Sequence, residues 1–409
     1  MMENIQSEKN SIKVDTTSNY QYQITKDRFD KKAAEIVFTI KVLMGYPVNE
    51  NSGLSSFYKW YANSGLLDYA MNNVGEPFTP SHFAANTLDI EKDVINYFGN
   101  LFEFPHNNLW GLISTGGTDG NHHGIYFGKK ILLAKTGKMP VAYVSQEAHY
   151  SNRRLADLQN MRVKLIECDE MGKMKPEALA KALEPENPAL IVYALGTTFK
   201  GAIDDIQTLD KVIADKGIKN VYRHVDAALF GGYLPFTNLR HLISQKNLHY
   251  DSVAVSGHKF FGIDEPCGVF ICTKDIYDAQ KADKIPYLEA SMPMISCSRS
   301  SLAPMKLYWL LQTRGWYAYA REISICLANA KFLYEELRKM NYPAWLGYAS
   351  NTVFFKKPSD ALIHKYTLAT EYDERLGGDL AHIIVMQHVK QPLLEQFIED
   401  LQHETNSDC

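Results

Sequence analysis

Four short stretches carry the side chains best suited to making and breaking bonds. The first is Ser252-Val253-Ala254-Val255-Ser256-Gly257-His258-Lys259-Phe260-Phe261-Gly262. Its apolar, β-branched run reads as a buried strand that presents Lys259 at its C-terminal lip, where open α/β sheets place their chemistry. A lysine becomes a nucleophile when its ammonium is desolvated, and such an amine typically forms a Schiff base with a carbonyl. The alternative is an ordinary surface lysine at a strand end.

The second stretch, Ser114-Thr115-Gly116-Gly117-Thr118-Asp119-Gly120-Asn121, follows a strand and opens a helix of small residues. Glycines turn the chain tightly and bare the helix N–H groups, an arrangement suited to phosphate or to a plain turn. It has neither the Gly-Lys-Ser/Thr ending of a P-loop nor GxGxxG spacing. The third, Glu147-Ala148-His149-Tyr150-Ser151, puts an imidazole just past another strand, as a ring to lie on an aromatic cofactor or as a cap. The fourth, Tyr222-Arg223-His224-Val225-Asp226-Ala227-Ala228, delivers a carboxylate to the sheet edge followed by two alanines. Asp226 there would hold the pyridine nitrogen of pyridoxal phosphate (PLP) protonated, with room left by Ala228, or would serve as a helix N-cap. Gly196-Thr197-Thr198 adds hydroxyls, Thr197 reaching towards the ring, while Asp204 and Asp205 shape the turn that follows. His122 and His123 are helix neighbours about 100° apart and poor joint metal ligands, so no metal site is expected.

These positions need a sheet. Seven short apolar runs read as strands: Trp110-Ser114, Val141-Ser145, Val163-Glu167, Leu190-Leu195, Val221-Val225, Ser252-Ser256 and Val269-Cys272. Helix-length segments between them imply right-handed crossovers and a mainly parallel seven-stranded sheet. A polar, loosely ordered arm is expected over 1–28, a helix from Phe29 to Met44 and another from Thr87 to Phe102. The aromatic stretch 54–80 reads as packed against something, a second subunit included. Beyond Arg299, helices at Pro304-Arg314 and Tyr317-Met340 precede a smaller α/β unit, with strands at Asn351-Phe355 and His382-Met386 and helices at Pro358-Leu368 and Pro392-Gln402. The expected organisation is an N-terminal arm and dimerisation segment (1–85), a large cofactor-binding domain (86–300) and a small C-terminal α/β domain (301–409).

The 409 residues carry 43 Lys and Arg against 47 Asp and Glu, with none of the basic excess of a nucleic-acid binder. No apolar run approaches the roughly 18 residues of a membrane span, and Met1–Asp30 has no signal-peptide core. Six dispersed cysteines (168, 267, 272, 297, 326, 409) read as reduced thiols, so the expectation is a cytoplasmic protein.

Together with Met44-Gly45-Tyr46-Pro47, Asn72-Asn73-Val74-Gly75-Glu76-Pro77 and Pro266-Cys267-Gly268, these stretches resemble the group II PLP-dependent amino-acid decarboxylases, above all the bacterial PLP-type histidine decarboxylases and the plant serine decarboxylases. The resemblance runs from about Gly45 to the C-terminus. It implies an aspartate-aminotransferase-like fold (fold type I) and active sites at a homodimer interface. Lys259 would bind PLP covalently, Asp226 would pair with its ring nitrogen and His149 would stack on the ring and contact substrate. Gly117, Thr118, Ser256 and His258 would hold the phosphate, and Tyr46, Pro47 and Asn73 would line the substrate pocket. Asp119 stands where relatives usually have Glu, and Cys297-Ser298-Arg299-Ser300-Ser301-Leu302 departs from their Gly-Ser-Arg-Asn-Gly-His. The reaction implied is decarboxylation of an L-amino acid, L-histidine to histamine first and L-serine to ethanolamine second. His149 or Tyr287 would return the proton to the α-carbon, and Glu265 or Glu289 would answer an imidazole. Aminotransfer, lyase chemistry or a silent binding protein on the same fold are the rivals.

Overall fold

A computed structural model describes residues 16–50, 53–81, 83–280, 284–286 and 290–407. It divides into two units, 1–43 and 44–409. The first holds one helix, α1 (Thr16–Ile40), which begins inside the stretch expected to be a loose arm.

In chain order the second unit contains α2 (Ser55–Asn63), β1 (Asn72–Val74), α3 (Leu88–Leu101), β2 (Trp110–Ser114), α4 (Gly117–Thr136), β3 (Val141–Ser145), α5 (Tyr150–Leu158), β4 (Arg162–Ile166), α6 (Pro176–Ala182), β5 (Ala189–Ala194), α7 (Ile206–Asp215) and β6 (Val221–Asp226). It continues with α8 (Gln245–Leu248), β7 (Ser252–Ser256), β8 (Gly268–Cys272), α9 (Lys274–Asp278), the short pair β9 (Lys284–Ile285) and β10 (Ala290–Ser291), β11 (Ser298–Ser300) and α10 (Leu302–Lys339). The last part comprises β12 (Ala344–Leu346), β13 (Thr352–Lys356), α11 (Asp360–Lys365), β14 (Ala369–Asp373), β15 (Gly378–Ile384) and α12 (Gln391–Ser407).

The large sheet has the order β2-β8-β7-β6-β5-β3-β4. β4, β3, β5, β6 and β7 are parallel neighbours, while β8 runs antiparallel to both β7 and β2. Strands β2, β3, β5, β7 and β8 are buried along their whole length, which is why they read as unbroken apolar runs rather than as alternating patterns. α3 buries Val94, Ile95 and Phe98 on the side its periodicity marks. Gly315 breaks the helical geometry inside α10 with φ 71°, between the two helices expected there.

The second sheet, β12-β13-β15-β14, is antiparallel throughout. Only β13 and β15 were legible, since β14 (Ala-Thr-Glu-Tyr-Asp) has no apolar alternation to betray it. The aromatic stretch after residue 54 packs within its own chain: the Phe57 and Trp60 rings lie 5.7 and 5.8 Å from Trp309 of α10. Asp205 caps α7 by accepting from Thr208, and buried Asp204 accepts the backbone N–H groups of Ala194 and Met174, so both acids shape the turn. The cysteines 168, 267, 272, 297 and 326 are free thiols. No helix among the described residues is long and apolar enough to cross a membrane.

Candidate active site

The carboxyl ends of the parallel strands open into a cavity of about 660 Å3. Lys259, Asp226, His149, Gly117, Thr118, Thr197, Ala228, Ser256, His258, Tyr46 and Pro47 all line it. The register explains the central pair: β6 and β7 run side by side with Asp226 opposite Ala254, so the turn after Ser256 brings Lys259 back over the same lip. Burial lowers the Lys259 pKa and the nearby Asp226 carboxylate opposes that shift. A lysine held this way keeps more of its amine as the free base that attacks carbonyls.

Asp226 is buried and fixed on both oxygens: Oδ1 accepts the Ala228 N–H at 3.2 Å and Oδ2 accepts Asn152 Nδ2 at 2.7 Å. Asn152 lies in the first turn of α5, immediately after His149, which caps that helix. His149 Nδ1 accepts the Ser151 N–H at 3.4 Å and lies 2.7 Å from Ser151 Oγ. Its N–H is thereby assigned to Nε2, and burial depresses its pKa, so the ring is neutral. One short helix therefore places a flat neutral ring in the cavity wall and a buried amide on the Asp226 carboxylate, and the capping role of His149 accompanies its place in the wall.

One end of the cavity is a bare helix terminus. Gly116, at φ 135°, precedes the 20-residue helix α4. A Cβ on Gly117 would lie 2.7 Å from Ser256 Oγ and 3.2 Å from the Ala228 Cβ, so only a glycine keeps this floor open. The first-turn N–H groups, Thr118, Ser256 and His258 then surround a space for an anion. Thr197 Oγ1 accepts the Ala202 N–H at 2.9 Å, which leaves its own O–H to donate into the cavity.

One expectation is corrected, and the two departures from relatives find their places. Asn73 does not line the cavity: it is fully buried, donating to Glu91 Oε2 at 3.0 Å and accepting from the Thr87 N–H at 2.8 Å. Asp119 is likewise occupied within its own helix turn, accepting from Thr115 and lying 3.4 Å from His123 Nδ1. The altered 297–302 stretch forms β11 against β1, and its Arg299 makes a buried pair with Glu91. Glu265 pairs with Lys306 outside the cavity, and Tyr287 and Glu289 lie outside the described residues.

The wall opposite the large sheet comes from the small one: Thr352, Ala369, Glu371, His382 and Ile384. Sequence reasoning missed Glu371 and His382 because nothing local ties β14 and β15 to a lip some 150 residues earlier. It missed Asn152 too, although its spacing three residues after His149 is the available signal. Behind Glu371 lies a charge cluster. Fully buried Lys200 contacts Glu147 at 2.9 Å and also pairs with Asp373, and Arg375 Nη2 reaches Glu147 at 2.6 Å and Asp373 at 2.7 Å. Three acids and two bases leave one carboxylate over. Among the described residues Glu371 makes no ion pair. Partial burial and repulsion from Glu147 raise its pKa to about 7, although the residue is exposed at the cavity mouth. No group of metal-ligating side chains is found among the described residues.

This constellation fits PLP: a buried amine of lowered pKa for its aldehyde, a carboxyl group for its ring nitrogen and an open helix terminus for its phosphate. Residues 84–343 match the family described as the pyridoxal-dependent decarboxylase conserved domain. The chain is 32% identical over 362 residues to serine decarboxylase 1 of Oryza sativa subsp. japonica, covering 88% of this chain and 71% of that protein. It is 32% identical over 367 residues to the histidine decarboxylase of Vibrio campbellii, covering 88% and 89%. The solved structure of L-methionine decarboxylase from Streptomyces sp.590 superposes with a TM-score of 0.79 at 19% identity, covering 95% of this chain and 96% of that one, and shares the fold. With a model match across most of its length and relatives at this identity, the chain belongs to the pyridoxal-dependent decarboxylase family, and it is a PLP-dependent amino-acid decarboxylase of fold type I.

Proposed function

We propose that this enzyme converts L-histidine to histamine and CO2, as a cytoplasmic homodimer. The reading is carried by Glu371, the one acid of its cluster left without a cation, on the cavity wall facing the cofactor lip. An imidazole N–H is the substrate group such a carboxylate would bind, with Tyr46 and Phe199 offering aromatic surface beside it. Serine, whose decarboxylation would give ethanolamine, is the second reading because serine decarboxylase 1 is as similar in sequence, but its hydroxymethyl group would leave Glu371 without a charged partner.

Bound here, PLP supplies an electron sink for the pair released as the carboxylate leaves. In this proposal Lys259, its pKa lowered by burial, would supply the amine that holds the cofactor aldehyde. Asp226, held in place by Asn152 and the Ala228 N–H, would pair with the protonated ring nitrogen. His149, in the cavity wall, would lie against the ring and would hand the Nε2 proton to the α-carbon. Gly117, Thr118, Ser256 and His258 bind the phosphate, Thr197 donates towards the ring, and the narrow Ala228 leaves room for it. Tyr46 and Pro47 bound the substrate side.

The test is to incubate PLP-loaded enzyme with each common L-amino acid and measure CO2 and amine. Histamine is expected, and ethanolamine as the principal amine would overturn the assignment. Glu371→Gln should raise KM for histidine about 10- to 100-fold, the worth of one charge-assisted hydrogen bond. In the wild type KM should rise as pH falls through about 7, where Glu371 takes up its proton, and the variant should lose that dependence.

A further inference from the structure

His382 sits on β15 between β13 and β14, opposite Phe354 and Ala369, and its side chain is buried in the cavity wall. Its Nδ1 lies 2.7 Å from the Phe199 carbonyl and its Nε2 3.0 Å from the Gly45 carbonyl. Both partners are acceptors with no hydrogen to give, so the neutral ring donates to one of the two carbonyls in either tautomer and to both when protonated. Burial outweighs the two carbonyls and lowers the His382 pKa, so the hold rests on the geometry of the two contacts and not on a fixed charge. The ring also stacks on Phe199, centroids 4.5 Å apart at 21°. With both nitrogens engaged, His382 has no proton to exchange with a substrate, so its role must be exercised through what it holds.

It holds two loops that share no strand. Phe199 belongs to the turn after β5, folded on itself where Gly196 and Thr197 both donate to the Ala202 carbonyl, and Thr197 and Thr198 line the cofactor side of the cavity. Gly45 leads into Tyr46-Pro47 on the substrate side. This second segment lies tight on the small sheet. The Met44 N–H donates to Tyr366 O at 3.0 Å, Met44 O accepts from Ile384 at 2.8 Å, and a Cβ on Gly45 would fall 2.4 Å from Thr367 O. Those contacts set the distance of the segment from the sheet, and the His382 bond to the Gly45 carbonyl sets where Tyr46 and Pro47 stand relative to the β5 loop.

We propose that His382 is a positioning residue, a buried imidazole bridging the Gly45 and Phe199 carbonyls that fixes the substrate-side turn Tyr46-Pro47 against the cofactor-side loop Gly196–Ala202. The inference rests on the reading that Tyr46 and Pro47 face the substrate, and it is independent of which amino acid that is. Lys259, Asp226 and Gly117 stand on the large sheet and its connections, outside the latch. Losing the latch therefore loosens substrate binding while the cofactor grip is kept.

The experiment uses full-length PLP-loaded enzyme and whichever amino acid the product screen shows to be decarboxylated. His382→Phe keeps ring and stacking but has no donor, and His382→Gln keeps an amide N–H. We expect His382→Phe to raise KM at least about tenfold with kcat changed less than about threefold, the signature of lost ground-state positioning. PLP affinity, read by absorbance titration of apoenzyme, should match wild type, and His382→Gln should recover part of the KM. Unchanged KM in His382→Phe overturns the proposal, as does a loss of PLP affinity equal to the rise in KM. Should His382→Phe fail to fold, a KM for His382→Gln equal to wild type overturns it and a raised KM with intact PLP affinity supports it. A screen that finds an amino acid other than histidine overturns the substrate assignment and leaves this test intact.

Discussion

Replacing Lys200 with methionine is the sharpest test of how the small sheet is held over the cavity. The Lys200 side chain is fully buried, and its partners Glu147 and Asp373 are 7% and 5% exposed. Removing one member of a buried ionic group costs about 3–5 kcal/mol, mostly as the charge left unpaired. Here Arg375 still reaches both acids, at 2.6 Å to Glu147 and 2.7 Å to Asp373, so the lower end, about 3 kcal/mol, is expected. With a urea m-value near the upper end of about 1–3 kcal/mol/M, the midpoint should fall by about 1 M. An exposed pair calibrates the assay: Lys331, 3.6 Å from Glu335 with side chains 70% and 52% exposed, should cost under about 0.5 kcal/mol when replaced by methionine. The pH dependence has a definite sign. Arg375 above all, and Lys200 with it, hold the Asp373 carboxyl well below its ordinary range. Its contribution is therefore present above the unfolded carboxylate pKa and is lost as pH falls towards the folded value, less steeply in Lys200→Met. If Lys200→Met moves the urea midpoint no further than Lys331→Met does, the cluster is not what secures this wall.

Three further outcomes are expected. Lys259→Ala should eliminate the visible absorption of the PLP-bound enzyme and lower kcat by at least about 1000-fold, since among the described residues no other lysine lines the cavity; retained turnover would reject Lys259 as the attachment point. Gly117→Ala must displace Ser256 Oγ and press on Ala228, so PLP affinity measured by absorbance titration should fall about tenfold or more, and wild-type affinity would show that the helix terminus does not bound the phosphate. His224 is fully buried, donating from Nε2 to Asn121 Oδ1 at 2.9 Å and accepting at Nδ1 from Ser252, and burial lowers its pKa to about 4. Because the unfolded chain binds that proton first, stability should drop by about 3 kcal/mol as pH falls from 6.5 to 4, and His224→Asn should flatten that slope in denaturation measured across this range.

Legibility followed the range of the forces involved. The strand runs of the large sheet were readable because both faces are buried, and their ends located Lys259, Asp226, His149 and the Gly116-Gly117 turn. The order of the strands and the antiparallel β8 were not readable, since pairing partners leave no mark on single apolar runs. Asn73 was misplaced because a buried asparagine satisfying Glu91 and Thr87 has the same local appearance as one facing a substrate. β14 was invisible because its central residues are exposed and turn no apolar face to a core.

The sequence by itself determined which groups sit on strand ends, because a buried strand must be apolar and must stop where polar chemistry begins. Only the tertiary structure decided what stands opposite them. The pairing of Glu147 with Lys200, Asp373 and Arg375, the exposure of Glu371 to the cavity and the His382 contacts to Gly45 and Phe199 join residues up to 337 positions apart. Hydrogen bonds and ion pairs act over a few ångströms, and which distant groups come within that reach is settled only when the chain has closed on itself.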